Sequence, residues 1–178
     1  NYTNDELLQL IEENIDVLDE TALLRAATLV KDNDQKIELY KKAADKFDSN
    51  AAQYNLAITY LNMDENNKAK RALDKCEQDA DWNNAMGVIA LREGEYGQAN
   101  RYFAAAGTET AKENMAVIDV LNGNYKDAAA KLAGKDGYNA ALVALLNGNN
   151  APAAALKCEC PQAAYLRAVA AARQGNAS

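Results

Sequence analysis

Three cysteines, 26 carboxylates, nine tyrosines and no histidine form the reactive inventory of this 178-residue chain. Without histidine there is no Ser-His-Asp or Cys-His nucleophile system, no imidazole general base and no metal site that needs imidazole. No glycine-rich loop runs into Lys-Ser/Thr and no G-x-G-x-x-G fingerprint occurs, so neither kind of phosphate cradle is encoded. Carboxylate pairs such as Glu12-Glu13 and Asp64-Glu65 are plentiful. On amphipathic helices such pairs are solvated faces rather than acid/base couples. The cysteines Cys76, Cys158 and Cys160 raise the question of zinc or redox chemistry. A structural zinc takes about four ligands, and only Cys76 is left to help the Cys-Glu-Cys pair. A Cys158–Cys160 disulfide closes a very small, strained ring. The competing reading makes Cys76 and Cys160 small apolar fillers, in the helical slot held elsewhere by Ala43 and Ala106, with a longer-range disulfide as its exception. The expectation is therefore no catalytic residue, no metal and no cofactor.

The elements that carry these residues are helical. Alanine accounts for 37 residues, and 24 of them lie after position 98. Alanine is the best helix former and a poor core filler, a composition suited to thin helices that approach closely. Only two prolines occur, and no apolar/polar alternation persists long enough to read as a strand. The net charge of −7 falls unevenly: twelve acids and six bases in residues 1–50, eight and five in 51–100, six and eight beyond. No basic stripe is present to neutralise several phosphates, which disfavours nucleic acid and an anionic membrane surface. The longest apolar runs, such as Ala141 to Leu146, fall far short of a membrane span.

Glycines set a repeat. Gly94, Gly123, Gly148 and Gly175 stand in "REGEY", "LNGNY", "LNGNN" and "RQGNA". "EGEYGQANRYFAA" and "NGNYKDAAAKLAG" share Gly-x-Tyr, then Ala99 or Ala128, then Phe103 or Leu132. A glycine that takes positive φ cheaply ends one helix and lets the chain reverse. Alanines at 57, 69, 99 and 128 then let antiparallel helices approach, while Leu73, Phe103 and Leu132 fill the gap to the next pair. The predicted helices are 3–14, 19–31, 34–47, 51–62, 65–78, 82–93, 96–106, 110–122, 125–133, 137–147, 151–157 and 162–174. Thr3-x-x-Glu6 and Thr110-x-x-Glu113 read as capping boxes, and Asp34 and Asp64 as further caps.

The pattern resembles the tetratricopeptide repeat, W-x2-L-G-x2-Y followed by A-x3-F and a proline. Leu56-Ala57-x2-Tyr60 with Ala69-x3-Leu73, Met86-Gly87 with Ala99-x3-Phe103, and Met115-Ala116 with Ala128-x3-Leu132 carry the likeness. Ala140-Ala141 with Ala153 is degenerate, because Lys157 replaces the large apolar residue. In the N-terminal unit Lys36 stands where a small residue belongs. No closing proline is in place, Asp119 occupies a tyrosine slot, and the spacing is nearer 25–33 than 34 residues. The resemblance implies an all-α, α-α superhelix of about five helix pairs plus flanking single helices. It implies one repeat domain over 1–178, with units near 17–49, 50–79, 80–108, 109–133 and 134–160 and a half unit at 161–175. The half unit and the start at Asn1 suggest a piece of a longer protein.

In such stacks the first helix of each pair lines a groove, and side chains four apart point into it. The resemblance thus selects Tyr54 and Ile58, Asn84 and Val88, Glu113 and Val117, Tyr138 and Leu142, and Tyr165 and Val169. Three tyrosines and five aliphatics suit an apolar or amphipathic protein or peptide segment. Equally, tight curling could pack these residues on one another. The face is poor in the lysines and arginines that clamp a peptide's terminal carboxylate. The implied function is a non-enzymatic protein- or peptide-binding scaffold, with self-association through the unpaired C-terminal helix as a further option. Its alternatives are a structural spacer whose groove is filled by its own C-terminal region, and a carbohydrate-binding or enzymatic helical repeat. The alanine-rich short units also resemble repeat regions of bacterial envelope proteins, which implies a periplasmic or envelope location, with the cytoplasm as the alternative.

Overall fold

The structure is a computed structural model that describes residues 1–157 and 161–175, and the side chains of all of these except 161–166. Its regularity begins at the helix starts. Side-chain oxygens of Asp19, Ser49, Asp79 and Thr108 each accept the backbone N–H three residues on, at 2.8, 3.1, 2.9 and 3.1 Å. Each bond satisfies one of the donors that a helix start leaves orphaned. These caps stand 30, 30 and 29 residues apart and open the first helix of successive pairs: α2 (Glu20–Leu29), α4 (Asn50–Asn62), α6 (Ala80–Arg92) and α8 (Glu109–Leu121). The second helices are α3 (Asn33–Phe47), α5 (Asn66–Leu73), α7 (Tyr96–Ala106) and α9 (Tyr125–Lys131). α1 (Asn4–Glu13) and a 3-10 turn at Ile15–Val17 precede them, and α10 (Tyr138–Leu146), α11 (Ala151–Ala154) and α12 (Pro161–Gly175) follow. Among the described residues there is no strand. The fold is all-α.

Four of the inter-helix turns are one motif. The N–H of Glu65, Glu95, Asn124 and Asn149 reaches back five residues to the carbonyl of Tyr60, Ala90, Asp119 and Ala144, at 2.7–2.9 Å. This is the Schellman closure, which needs a left-handed residue just before the donor. Gly94, Gly123 and Gly148 supply it with φ of 78°, 78° and 87°. The first turn has no glycine, and Asp64 takes φ of 59° in its place. Asp64 is thus a helix terminator rather than an N-cap. Gly175, expected to make a fifth such turn, lies within α12 and is not in the left-handed region. Two expected caps also move: α3 is capped by Asp32, not Asp34, and α8 by Thr108, not Thr110. The Thr3–Glu6 capping box forms as expected.

The chain divides into two compact units, Asn1–Ile89 and Ala90–Ser178. In the first, α2 packs on α3, α3 on α4 and α4 on α5, around a core that includes Leu7, Leu18, Leu23, Leu39, Leu73 and Ile89. Ala57 and Ala69 are completely buried there, as expected of residues that let helices meet. Lys36, anomalous by its repeat position, donates from Nζ to the Ala27 carbonyl at 2.7 Å. It satisfies an end of α2 that no left-handed turn closes, since Val30 is extended. α5 stops at Leu73 rather than running to 78. The Trp82 indole N–H donates to the Leu73 carbonyl at 3.0 Å, and Asn50 Oδ1 accepts from the Glu77 N–H at 2.8 Å.

In the second unit the second helices shorten, from 11 residues in α7 to seven in α9 and four in α11. Small residues dominate its clusters. One gathers Ala116, Ala128, Leu132 and Val143, another Ala141, Leu145, Ala153 and Ala170. Because α11 ends so early, Leu156 rather than residue 157 reaches the second cluster. Asp119, out of place in a tyrosine slot, meets Lys131 of the paired helix α9 at 2.5 Å. The pair replaces aromatic packing between two helices that remain in contact.

Candidate functional site

The expected recognition residues lie on first helices, one turn apart, as side chains four residues apart must. In the first unit Tyr54 and Ile58 of α4 are half-buried and pack against the core, as do Trp82 and Met86 of α6. Asn84 and Val88 of α6 are also half-buried. Burial pushes the Tyr54 phenol above its ordinary range, and the charges of Asp81, Asp79 and Cys76 add to the effect. Tyr54 therefore stays a neutral hydroxyl that can donate or accept a hydrogen bond.

In the second unit Glu113 and Val117 of α8 and Tyr138 and Leu142 of α10 are half-buried, as is Val169 of α12. Tyr138, Leu142 and Val169 pack on the same small cluster. The side chain of Tyr165 lies outside the described residues, as do Cys158 and Cys160. Glu113 and Tyr138 come together on one depression of about 180 Å³, which Lys135 of the loop between α9 and α10 also lines. Tyr138 and Lys135 also edge a larger depression of about 570 Å³, floored by Ala141, Pro152 and Leu156. Lys135 Nζ lies 2.8 Å from Glu109 and 3.8 Å from Glu113. Its hydrogen bond holds the Glu109 carboxyl below the ordinary range, and the same bond holds the Lys135 ammonium above it.

The arrangement suits binding. It offers tyrosine and aliphatic surface with a charged pair at its margin. Among the described residues no three histidine, cysteine or acidic side chains gather in a way that could hold a metal. Sequence reasoning missed Lys135, Pro152 and Leu156, because a rule confined to side chains four apart on first helices passes over loops and α11. Cys76 was expected inside a second helix, but it lies beyond the end of α5, half-buried against the core.

No family model and no curated protein matches the chain. Solved structures do. The crystal structure of the APC/C hetero-tetramer Cut9-Hcn1 superposes with a TM-score of 0.75 at 16% identity, over 94% of this chain and 38% of that one. This chain therefore spans well under half the length of that relative. A tetratricopeptide repeat protein from Parabacteroides merdae gives 0.74 at 13% identity, over 94% of this chain and 76% of that one. YrrB, described as a TPR protein with an unusual peptide-binding site, gives 0.57 at 17% identity, over 98% and 95%. At such identities the likeness is one of backbone architecture, and it agrees with the helix pairs, the recurrent turns and the buried alanines. The chain has the helical-repeat fold of tetratricopeptide proteins.

Proposed function

We propose that the chain is a non-enzymatic module that captures a protein or peptide segment on the exposed faces of its first helices. The observation that carries this reading is the burial pattern. Every expected contact residue whose side chain is described is half-buried. Packing from below fixes its rotamer, while part of its surface stays free to meet a partner. Preordered aromatic and aliphatic side chains lose little entropy on binding and make efficient anchors. In the first unit the anchors are Tyr54 and Ile58, flanked by Asn84 and Val88. In the second they are Tyr138 and Leu142, with Val117, Val169 and the Glu113–Lys135 pair at the margin. The peptide-binding site named for YrrB and the hetero-tetramer named for Cut9-Hcn1 support the reading by likeness of fold. A bacterial origin and an envelope or periplasmic location belong to the same proposal. They rest on the alanine-rich short units, and among the described residues no helix is long and apolar enough to cross a membrane.

The test is panning of a displayed random-peptide library on the full chain. Ligands rich in apolar residues are expected, and Tyr138→Ser/Leu142→Ser should lose those bound by the second unit while helical circular dichroism stays within a few per cent. Ligands retained equally by that variant and by Tyr54→Ser/Ile58→Ser would show that neither first-helix face makes the contact.

A further inference from the structure

Gln53 is a mostly buried residue whose amide bonds to no other protein group. It lies on α4, only 8% exposed, and its side chain makes no hydrogen bond among the described residues. Its amide atoms reach the surface of the fold, so water or a bound ligand is left to pair with them. Gln53 lines two adjoining depressions, of about 450 and 550 Å³. The larger has an apolar floor of Leu56, Tyr60 and Ala72, with Lys68, Arg71 and Lys75 along the rim beside Asp74. The smaller is edged by Asp45, Asp48 and Glu77. Lys75 borders both. Lys68 lies 5.9 Å from the centre of the Tyr60 ring and 3.6 Å from Glu65, while Arg71 and Lys75 have no ion-pair partner among the described residues. One end of the surface is therefore basic, the other acidic, and an unpaired amide sits where they meet.

This is a different face from the first. Gln53, Leu56 and Tyr60 follow the three- and four-residue spacing of one helical stripe, whereas Tyr54 and Ile58 form another stripe centred about 150° away around α4. We infer that α4 presents a second recognition face, centred on Gln53, that holds a short extended peptide with an acidic residue at one end, an apolar residue in the middle and a basic residue at the other end. A carboxamide carries both a donor and an acceptor, so it can pair with the N–H and C=O of an extended backbone. The apolar side chain covers Leu56, Tyr60 and Ala72. The acidic end meets Lys68 and Arg71, and the basic end meets Asp45 and Asp48. Lys68 and Arg71 stand about one turn apart on α5, roughly 4.5 Å along its axis, so one acidic side chain can reach both. This surface goes beyond the first-helix reading and stands without it.

The test uses fluorescein-labelled heptapeptides on the full chain, read by anisotropy at low and moderate salt. One probe carries Glu, Leu and Lys in that order with glycine-serine spacers. A second replaces Lys by Glu, and a third replaces Leu by Gly. Saturable binding of the first probe is expected, weaker at higher salt and at least tenfold weaker for the other two. Gln53→Leu should reduce that binding at least tenfold without lowering the melting temperature, because no hydrogen bond within the protein is lost. Lys68→Glu/Arg71→Glu should weaken it by a similar factor. A first probe that does not bind, or one bound no better than the all-acidic peptide, overturns the inference. So does a melting temperature lowered by Gln53→Leu, which would make the amide structural. Loss of the probe in Tyr54→Ser/Ile58→Ser but not in Gln53→Leu moves the contact to the first-helix face, and supports the proposed function while sinking this one.

Discussion

Cys76 shows how much of a residue's chemistry is set by its seat. Its sulfur rests 3.5 Å from the Ala72 carbonyl, half-buried beyond the end of α5. Burial, with help from the Asp79 charge, pushes the thiol up to about 11 from a reference of 9.0. A raised folded-state value means the native chain holds the proton more tightly than the unfolded one. Its contribution to stability is thus complete below about pH 9 and disappears as pH rises through 11. Near pH 8 the native thiolate should be ~100-fold scarcer than that of an unperturbed cysteine, so iodoacetamide labelling should slow by about that factor. Peptide-level mass spectrometry of chain labelled with and without denaturant measures it, and equal labelling rates would refute the buried seat. The resemblance to tetratricopeptide repeats picked the candidate contact residues, because in such stacks side chains four apart on a first helix share a face. It did not pick Gln53, which enters the proposed second face because its amide has no protein partner, nor Lys135, which a loop carries.

At the scale of the element, the helices were legible because capping, glycine placement and apolar spacing all act within a few residues. Departures came where a distant side chain intervened. α5 was expected to reach 78, and the Trp82 indole and the Asn50 amide end the turn region instead. Thr108 prevailed over Thr110 as a cap although Thr110 alone has a glutamate three residues on, so a local motif chose the wrong threonine. The more regular register was the spacing of the caps, which serine, threonine and aspartate share and which no single letter reveals. The Schellman turns give a sharp test. An added Cβ at Gly94, Gly123 or Gly148 meets nothing within 4 Å, so alanine there suffers only the left-handed backbone penalty, about 1 kcal/mol each. Urea denaturation of Gly94→Ala, Gly123→Ala and Gly148→Ala should show three similar losses. At Asp48, which also takes positive φ at 50°, the change to glycine should instead gain a few tenths of a kcal/mol. A neutral result at all three glycines would mean that the turns relax rather than hold their φ.

For the whole molecule, the sequence conveyed repetition but not partition. Repeat proteins distribute stability over nearest-neighbour contacts, so a chain of near-identical units has no obvious seam in its letters. The seam lies within α6, between Ile89 and Ala90, and it divides cores of different texture. The first unit is built on leucines, with one cluster running from Leu7 to Ile89, whereas the second has small clusters rich in alanine. The alanine enrichment after residue 98 foretold this difference without locating it. Large side chains bury more area each, so the first unit has more to lose from truncation. Leu39 is 1% exposed within that leucine-rich cluster, and Leu39→Ala should cost about 2–5 kcal/mol. If stability is local, amide hydrogen exchange should quicken through α2 to α5 and stay unchanged in α8 to α10. Exchange that accelerates equally in both regions would mean that the two cores unfold as one, and that the seam is geometric without being energetic.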